Sequence, residues 1–229
     1  MNRILTNACT SCAGCTNSNK PACSLARQPT PGYRLFGRRS KIPMEPGSLW
    51  QIDTGIVRAS TWNGDGTVNT LGFWGPGGLI SCSLKGGEPF FVECLTSVSA
   101  KSLPPDSWSH CTDALMLQMQ ENCEYVEVIG CRRVPISLAR LLKWLAKRFG
   151  RLTEQGYLLD MQLTHQDLAD AVGSTRVTVT RTLKDLEQQG VCRRIARGRF
   201  LVAPPTLDIR AHTALSLGTP RTELSSLLV

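Results

Sequence analysis

From Ile42 to Leu103 the apolar positions come in short alternating runs broken by turns: Ser48–Asp53, Gly55–Ser60 and Thr67–Phe73, separated by Thr54-Gly55 and by Asn63-Gly64-Asp65-Gly66. A period of two interrupted by turn residues predicts short antiparallel strands closing as a sandwich or roll. Past Pro104-Pro105 the period becomes helical. Leu115, Met119, Asn122, Val126 and Ile129 follow the 4-3-4 spacing of one helical seam. A lone polar residue such as Asn122 in that seam can fix the register of two paired helices, so we read it as a dimer interface, with packing on the chain's own sheet as the alternative. Gly130 loosens this helix. Pro135 suits the first turn of another running to about Phe149, with Leu138, Leu141, Leu142 and Leu145 inward.

The most informative stretch begins at Leu163. Thr164 caps a short helix whose Leu168, Ala171 and Val172 turn inward, and Gly173 supplies a tight turn. Ser174 or Thr175 then caps a second helix, with Val179, Leu183 and Leu186 inward and Arg176, Val177, Thr180, Arg181 and Lys184 outward. Gly190 stops it. Val191–Val202 reads as a hairpin turning near Arg197-Gly198 and carrying Arg193, Arg194, Arg197 and Arg199. A short helix, a glycine turn, a second helix exposing arginines and a basic hairpin make a winged helix-turn-helix, which inserts its second helix into a major groove while the wing meets phosphates.

Composition agrees with this reading without deciding it. Twenty-six Lys and Arg against eighteen Asp and Glu give a net charge of +8, which favours an anionic partner such as DNA. No apolar run approaches the roughly 18 residues a membrane helix needs, and Met1–Ala8 lacks a signal-peptide core, so a cytoplasmic protein without a membrane partner is expected. His110, His165 and His212 belong to no nucleophile, base or metal constellation, which argues against an enzyme.

Ten cysteines in a reducing compartment point to metal, redox chemistry or packing rather than disulfides. Cys9, Cys12, Cys15 and Cys23 lie on one segment with gaps of two, two and seven residues, a pattern suited to an iron–sulfur cluster. The fourth ligand could be Cys9, Cys23, Cys82 or Cys94. Zinc is the chief alternative, then a thiol switch or an iron–sulfur electron carrier. Cys111, Cys123, Cys131 and Cys192 are read as buried packing residues.

The stretch Gly173-Ser174-Thr175-Arg176-Val177-Thr178-Val179-Thr180-Arg181 resembles the recognition element of the Crp/Fnr superfamily of transcription regulators, and most of all that of its cyanobacterial nitrogen-control branch. The resemblance implies an α+β chain: a short β-roll of the cupin-like jelly-roll kind, a long dimerisation helix and a C-terminal winged helix-turn-helix. It divides the sequence into a Cys-rich segment (1–28), the roll (29–105), the dimer helix (106–132), the DNA-binding domain (133–203) and a tail (204–229). It implies a homodimer on a palindromic double-stranded DNA site, with RNA polymerase as a further partner.

Carried over position by position, the resemblance makes Arg176, Val177 and Arg181 base readers and puts Thr164, Ser174 and Thr180 near phosphates. Thr175, Lys184 and the wing arginines complete the surface. Val177 stands where many family members carry Glu and cannot accept a bond from cytosine, so the site is expected to resemble a GTA-spacer-TAC palindrome. Gly75–Ile80 lacks the family's Gly-Glu pair and Phe90–Thr96 its phosphate-facing Arg, so cyclic nucleotide is not expected as a ligand. The N-terminal cysteines resemble the Fnr branch, which holds a [4Fe-4S] cluster, although the spacing differs.

Overall fold

The computed structural model describes residues 32–82 and 89–204. Eight short strands come first: β1 Tyr33–Phe36, β2 Lys41–Ile42, β3 Leu49–Thr54, β4 Val57–Trp62, β5 Val68–Trp74, β6 Leu79–Ser81, β7 Phe90–Cys94 and β8 Val98–Leu103. They pair antiparallel in two four-stranded sheets of order β1-β8-β3-β6 and β2-β7-β4-β5. Alternate residues of both sheets, among them Trp50, Ile52, Val57, Ala59, Trp74, Ile80, Val92 and Val98, meet in the core between them. The strands lie within two residues of the runs read from periodicity, and the turns fall where Gly and Asn cluster.

A 3-10 turn over Pro105–Cys111 leads into α1, Thr112–Ile129, and α2 spans Val134–Phe149 with Pro135 in its first turn. The hairpin β9 Arg151–Thr153 and β10 Gly156–Leu159 precedes α3, His165–Val172, and α4, Arg176–Gln188. The closing strands β11 Cys192–Ala196 and β12 Arg199–Val202 join that hairpin in a third sheet of order β11-β12-β10-β9.

One apolar cluster joins the roll to the rest of the chain. It combines Phe73 and Leu95 of the roll, Tyr125 of α1, the inner leucines of α2, and Leu168, Leu183 and Phe200 of the C-terminal domain. The buried Tyr125 hydroxyl lies 3.2 Å from the Thr70 carbonyl and 3.3 Å from that of Ala171, linking a roll strand to α3. Each fully buried leucine here contributes about 1.5–3 kcal/mol. The roll and the helix-turn-helix therefore stabilise one another rather than sitting at the ends of a free linker.

α1 corrects the seam expected from spacing. Leu115, Met119 and Val126 are exposed, but Asn122 and Ile129 are half-buried on the chain's own body. Asn122 Oδ1 would lie 3.5 Å from a Cβ placed on Gly72 of β5, and Ile129 packs on the joint core. The buried face of α1 centres on Gln118 and Tyr125. With 100° per residue, the uncovered apolar stripe runs along Leu115, Met116, Met119, Cys123 and Val126. Cys123 is thus exposed rather than buried. Cys111 and Cys131 are half-buried, and Cys192 is closed in, its thiol pushed up to about 12 by burial.

Candidate nucleic-acid interface

Local rules build the helix-turn-helix. The Thr164 hydroxyl accepts from the Asp167 backbone N–H at 3.0 Å, and the Asp167 carboxylate accepts from the Thr164 N–H at 2.8 Å, a reciprocal cap that fixes the start of α3. Gly173 ends α3 in the left-handed region at φ 62°, where a β-carbon would be strained. Of the two possible caps for α4, the structure uses Thr175, whose hydroxyl accepts from the Thr178 N–H at 3.2 Å.

Val179, Thr182, Leu183 and Leu186 anchor α4 to the domain. That leaves Arg176, Val177, Thr180, Arg181 and Lys184 together on the exposed side. Val177 keeps 61% of its surface in water, an apolar contact suited to a thymine methyl. Thr180 Oγ1 lies 2.8 Å from both the Arg176 carbonyl and His165 Nδ1, tying the two helices at their outer edge. Thr164 and Thr175 are exposed and Ser174 is half-exposed, its N–H donating to the Ala169 carbonyl.

The wing docks through its turn. Gly198 has φ 71°, and a Cβ there would meet the Gln162 carbonyl carbon at 2.5 Å, while its own carbonyl accepts from the Leu163 N–H at 3.0 Å. Only glycine allows that approach. Arg193 donates to Gln155 Oε1 and Arg199 pairs with Asp160 at 2.6 Å, so these two already hold partners on the β9–β10 side. Arg194 and Arg197 are exposed, and their guanidinium groups have no hydrogen bond or ion pair among the described residues.

Between the roll and the helix-turn-helix lies a cleft of about 840 Å3 lined by six arginines and three carboxylates. Its floor is an ionic clasp that periodicity did not reveal. Arg39, in the β1–β2 turn, pairs with Asp167 at 2.6 Å and Glu93 at 3.1 Å. Arg58 of β4 pairs with Glu93 at 3.0 Å and with Asp167 and Asp170 at 3.2 Å each. Burial raises the Asp167 pKa, but the Arg39 hydrogen bond, the Arg58 charge and the Thr164 N–H outweigh it and hold the carboxyl below its ordinary value. The nearby His165 is held low by burial and by the charges of Arg194 and Arg176, against a smaller opposing effect of Glu187.

Residues 137–207 match the Crp-like helix-turn-helix domain family. The regulatory protein CysR of Synechococcus elongatus is 37% identical over 183 residues, which cover 78% of this chain and 88% of that protein. The chain belongs to the Crp/Fnr family of transcription regulators. Members of this family bind DNA and act as dimers, and the matching relatives are regulators rather than enzymes. The global nitrogen regulator of the same organism is 41% identical over 63 residues, covering 28% of either chain. A transcriptional regulator of the CRP/FNR family from Thermus thermophilus superposes with a TM-score of 0.60 at 25% identity, over 80% of this chain and 97% of that one. These findings bear out the α+β architecture and the family resemblance.

Cys9, Cys12, Cys15 and Cys23 lie outside the described residues, as does the tail from 205. Of the other two candidate ligands, Cys82 is half-buried at the end of β6. Cys94 is fully enclosed in the roll core, where burial raises its thiol pKa and disfavours the thiolate a metal needs. The roll sequence also contains Gly87-Glu88, a pair that lies outside the described residues. Among the described residues no helix is long and apolar enough to cross a membrane.

Proposed function

We propose that this Crp/Fnr regulator acts as a homodimer on a palindromic DNA site, with α4 in the major groove. The observation that carries this reading is the exposed face of α4, where Arg176, Val177, Thr180, Arg181 and Lys184 project together beside Arg194 and Arg197 of the wing. Arg176 and Arg181 have the reach and fork geometry for guanine O6 and N7, Val177 for a thymine methyl, and Thr164, Ser174, Thr175 and the wing arginines for phosphates. The dimer forms along the exposed stripe Leu115, Met116, Met119, Cys123 and Val126, which needs a partner to leave water. Like other regulators that act at promoters, the bound dimer would meet RNA polymerase.

Selection from a randomised duplex pool tests the reading. A two-fold symmetric consensus containing GTA and TAC arms is expected, and it should vanish with Arg176→Ala/Arg181→Ala. An unstructured preference in the wild type would overturn it.

For the signal, the spacing of Cys9, Cys12, Cys15 and Cys23 supports a [4Fe-4S] cluster, with Cys82 the more accessible alternative ligand and zinc the competing metal. Anaerobic purification with iron, sulfide and zinc analysis of wild type and Cys12→Ser/Cys15→Ser decides it. Iron and sulfide lost in the variant support the cluster, and one zinc per chain or no metal rejects it.

A further inference from the structure

The cleft between roll and helix-turn-helix joins Arg176, Arg194 and Arg197 to an arginine of the roll, Arg38, that the proposed groove contacts do not use. Its three carboxylates, Glu93, Asp167 and Asp170, are all engaged by Arg39 and Arg58. The remaining four arginines of its lining form no ion pair among the described residues. Arg38, on the roll side, donates to the carbonyls of Leu95 and Gln162, which are neutral acceptors. Arg176, Arg194 and Arg197, on the opposite wall, carry guanidinium groups without a hydrogen bond or ion pair among the described residues. On the floor Arg58 is 5% exposed, and its Nε, shielded from solvent, has no hydrogen-bond partner among the described residues. Holding like charges around an open cavity costs energy that a bound anion would relieve.

We propose that this cleft is a binding site for a polyvalent phosphate oxyanion, gripped between Arg38 of the roll and Arg176, Arg194 and Arg197 of the helix-turn-helix and wing. Arginine forks match phosphate oxygens in pairs, and two walls from two domains make the ligand a bridge between them. The cavity exceeds the size of a single phosphate and leaves room for a phosphorylated small molecule. A phosphate of DNA flanking the half-site offers the same chemistry. Because Arg176, Arg194 and Arg197 also border the α4 face, a free anion in the cleft would compete with DNA, and in that respect the inference rests on the DNA-binding reading.

Pyrophosphate is the probe, titrated calorimetrically into the full-length protein without DNA at constant ionic strength. The expected result is saturable binding, weakened about tenfold by Arg38→Gln and by Arg197→Gln, the effect of one lost charge-assisted bond. Arg181→Gln and Lys184→Gln lie outside the cleft lining and should leave this binding unchanged while weakening DNA. The anion should also raise the His165 pKa followed by NMR, because an added negative charge joins Glu187 in offsetting Arg176 and Arg194. No binding, binding indifferent to Arg38 and Arg197, or binding lost with Arg181 and Lys184 would each overturn the proposal.

Duplexes with and without flanking sequence distinguish the sources. Flank-dependent exclusion of pyrophosphate, with Arg38→Gln weakening only the longer duplex, places the DNA backbone in the cleft. Equal competition by both duplexes assigns it to a free phosphorylated ligand. Since the titration itself contains no DNA, a protein that fails to bind DNA yet binds pyrophosphate would sink the functional reading and leave this site standing.

Discussion

At the scale of single residues, Arg176 and Arg181 differ from every other arginine of the helix-turn-helix in what their loss should do. In the proposed reading each meets a base edge, so replacing either by alanine is expected to cost about 1–3 kcal/mol of specific affinity and to relax sequence preference at one position, as measured by competition with single-base variants of the site. Arg194→Ala and Arg197→Ala should weaken all duplexes alike and lower the salt slope. Asp167 does two jobs, capping α3 and closing the clasp. With its folded pKa held below the unfolded value of about 3.9, its contribution is complete above that pH and disappears as pH falls through the folded value. Asp167→Asn should therefore lower stability at pH 7 by about 3 kcal/mol, because it leaves Arg39 and Arg58 short of charge. The deficit should close as acid is added, and denaturant titrations at pH 7 and below pH 4 check this. Gly198→Ala should lower stability by at least about 1–3 kcal/mol, since it combines a left-handed backbone with a clash against Gln162 that no rotamer relieves.

Elements were legible in proportion to how much of their structure is local. α2, α3 and α4 each carry a periodic apolar face, and caps at Thr164 and Thr175 or a proline at the first turn, so their ends fall within a residue or two of the pattern. β9 and β10, with three and four residues, are too short for a period to show. The α1 seam was half legible. Spacing alone identifies a face but not which of two adjacent faces the chain uses itself, and Asn122 and Ile129 sit on the boundary against β5 and the joint core. The clasp left no signature at all, because Arg39 and Asp167 meet across 128 positions of sequence. The corrected stripe makes a sharp expectation for α1: Met119→Glu/Val126→Glu, both at exposed positions, should leave the fold intact and yield a monomer in sedimentation analysis. Such a monomer should hold a single half-site weakly and lose the palindrome, and a variant that stays dimeric would move the interface elsewhere.

At the scale of the whole molecule, the shared core and the clasp make the orientation of the DNA-binding domain depend on the roll. Phe73, Leu95 and Tyr125 pack with the leucines of α2 and α3, and Arg39 and Arg58 hold α3 by its first turns. Anything that shifts the roll strands must then shift α4, and in a dimer the two copies of α4 must sit about 34–36 Å apart, or a multiple of that, to enter successive grooves on one face of the duplex. In the proposed reading α4 meets DNA as one of such a pair. The most direct test of that reading is the affinity of the purified wild-type dimer for the selected palindrome against one lengthened by half a helical turn between the arms, measured over a range of salt. Tight, steeply salt-dependent binding to the first is expected, with a loss of at least about 4 kcal/mol, toward non-specific affinity, on the second. Equal affinity for both spacings would contradict it.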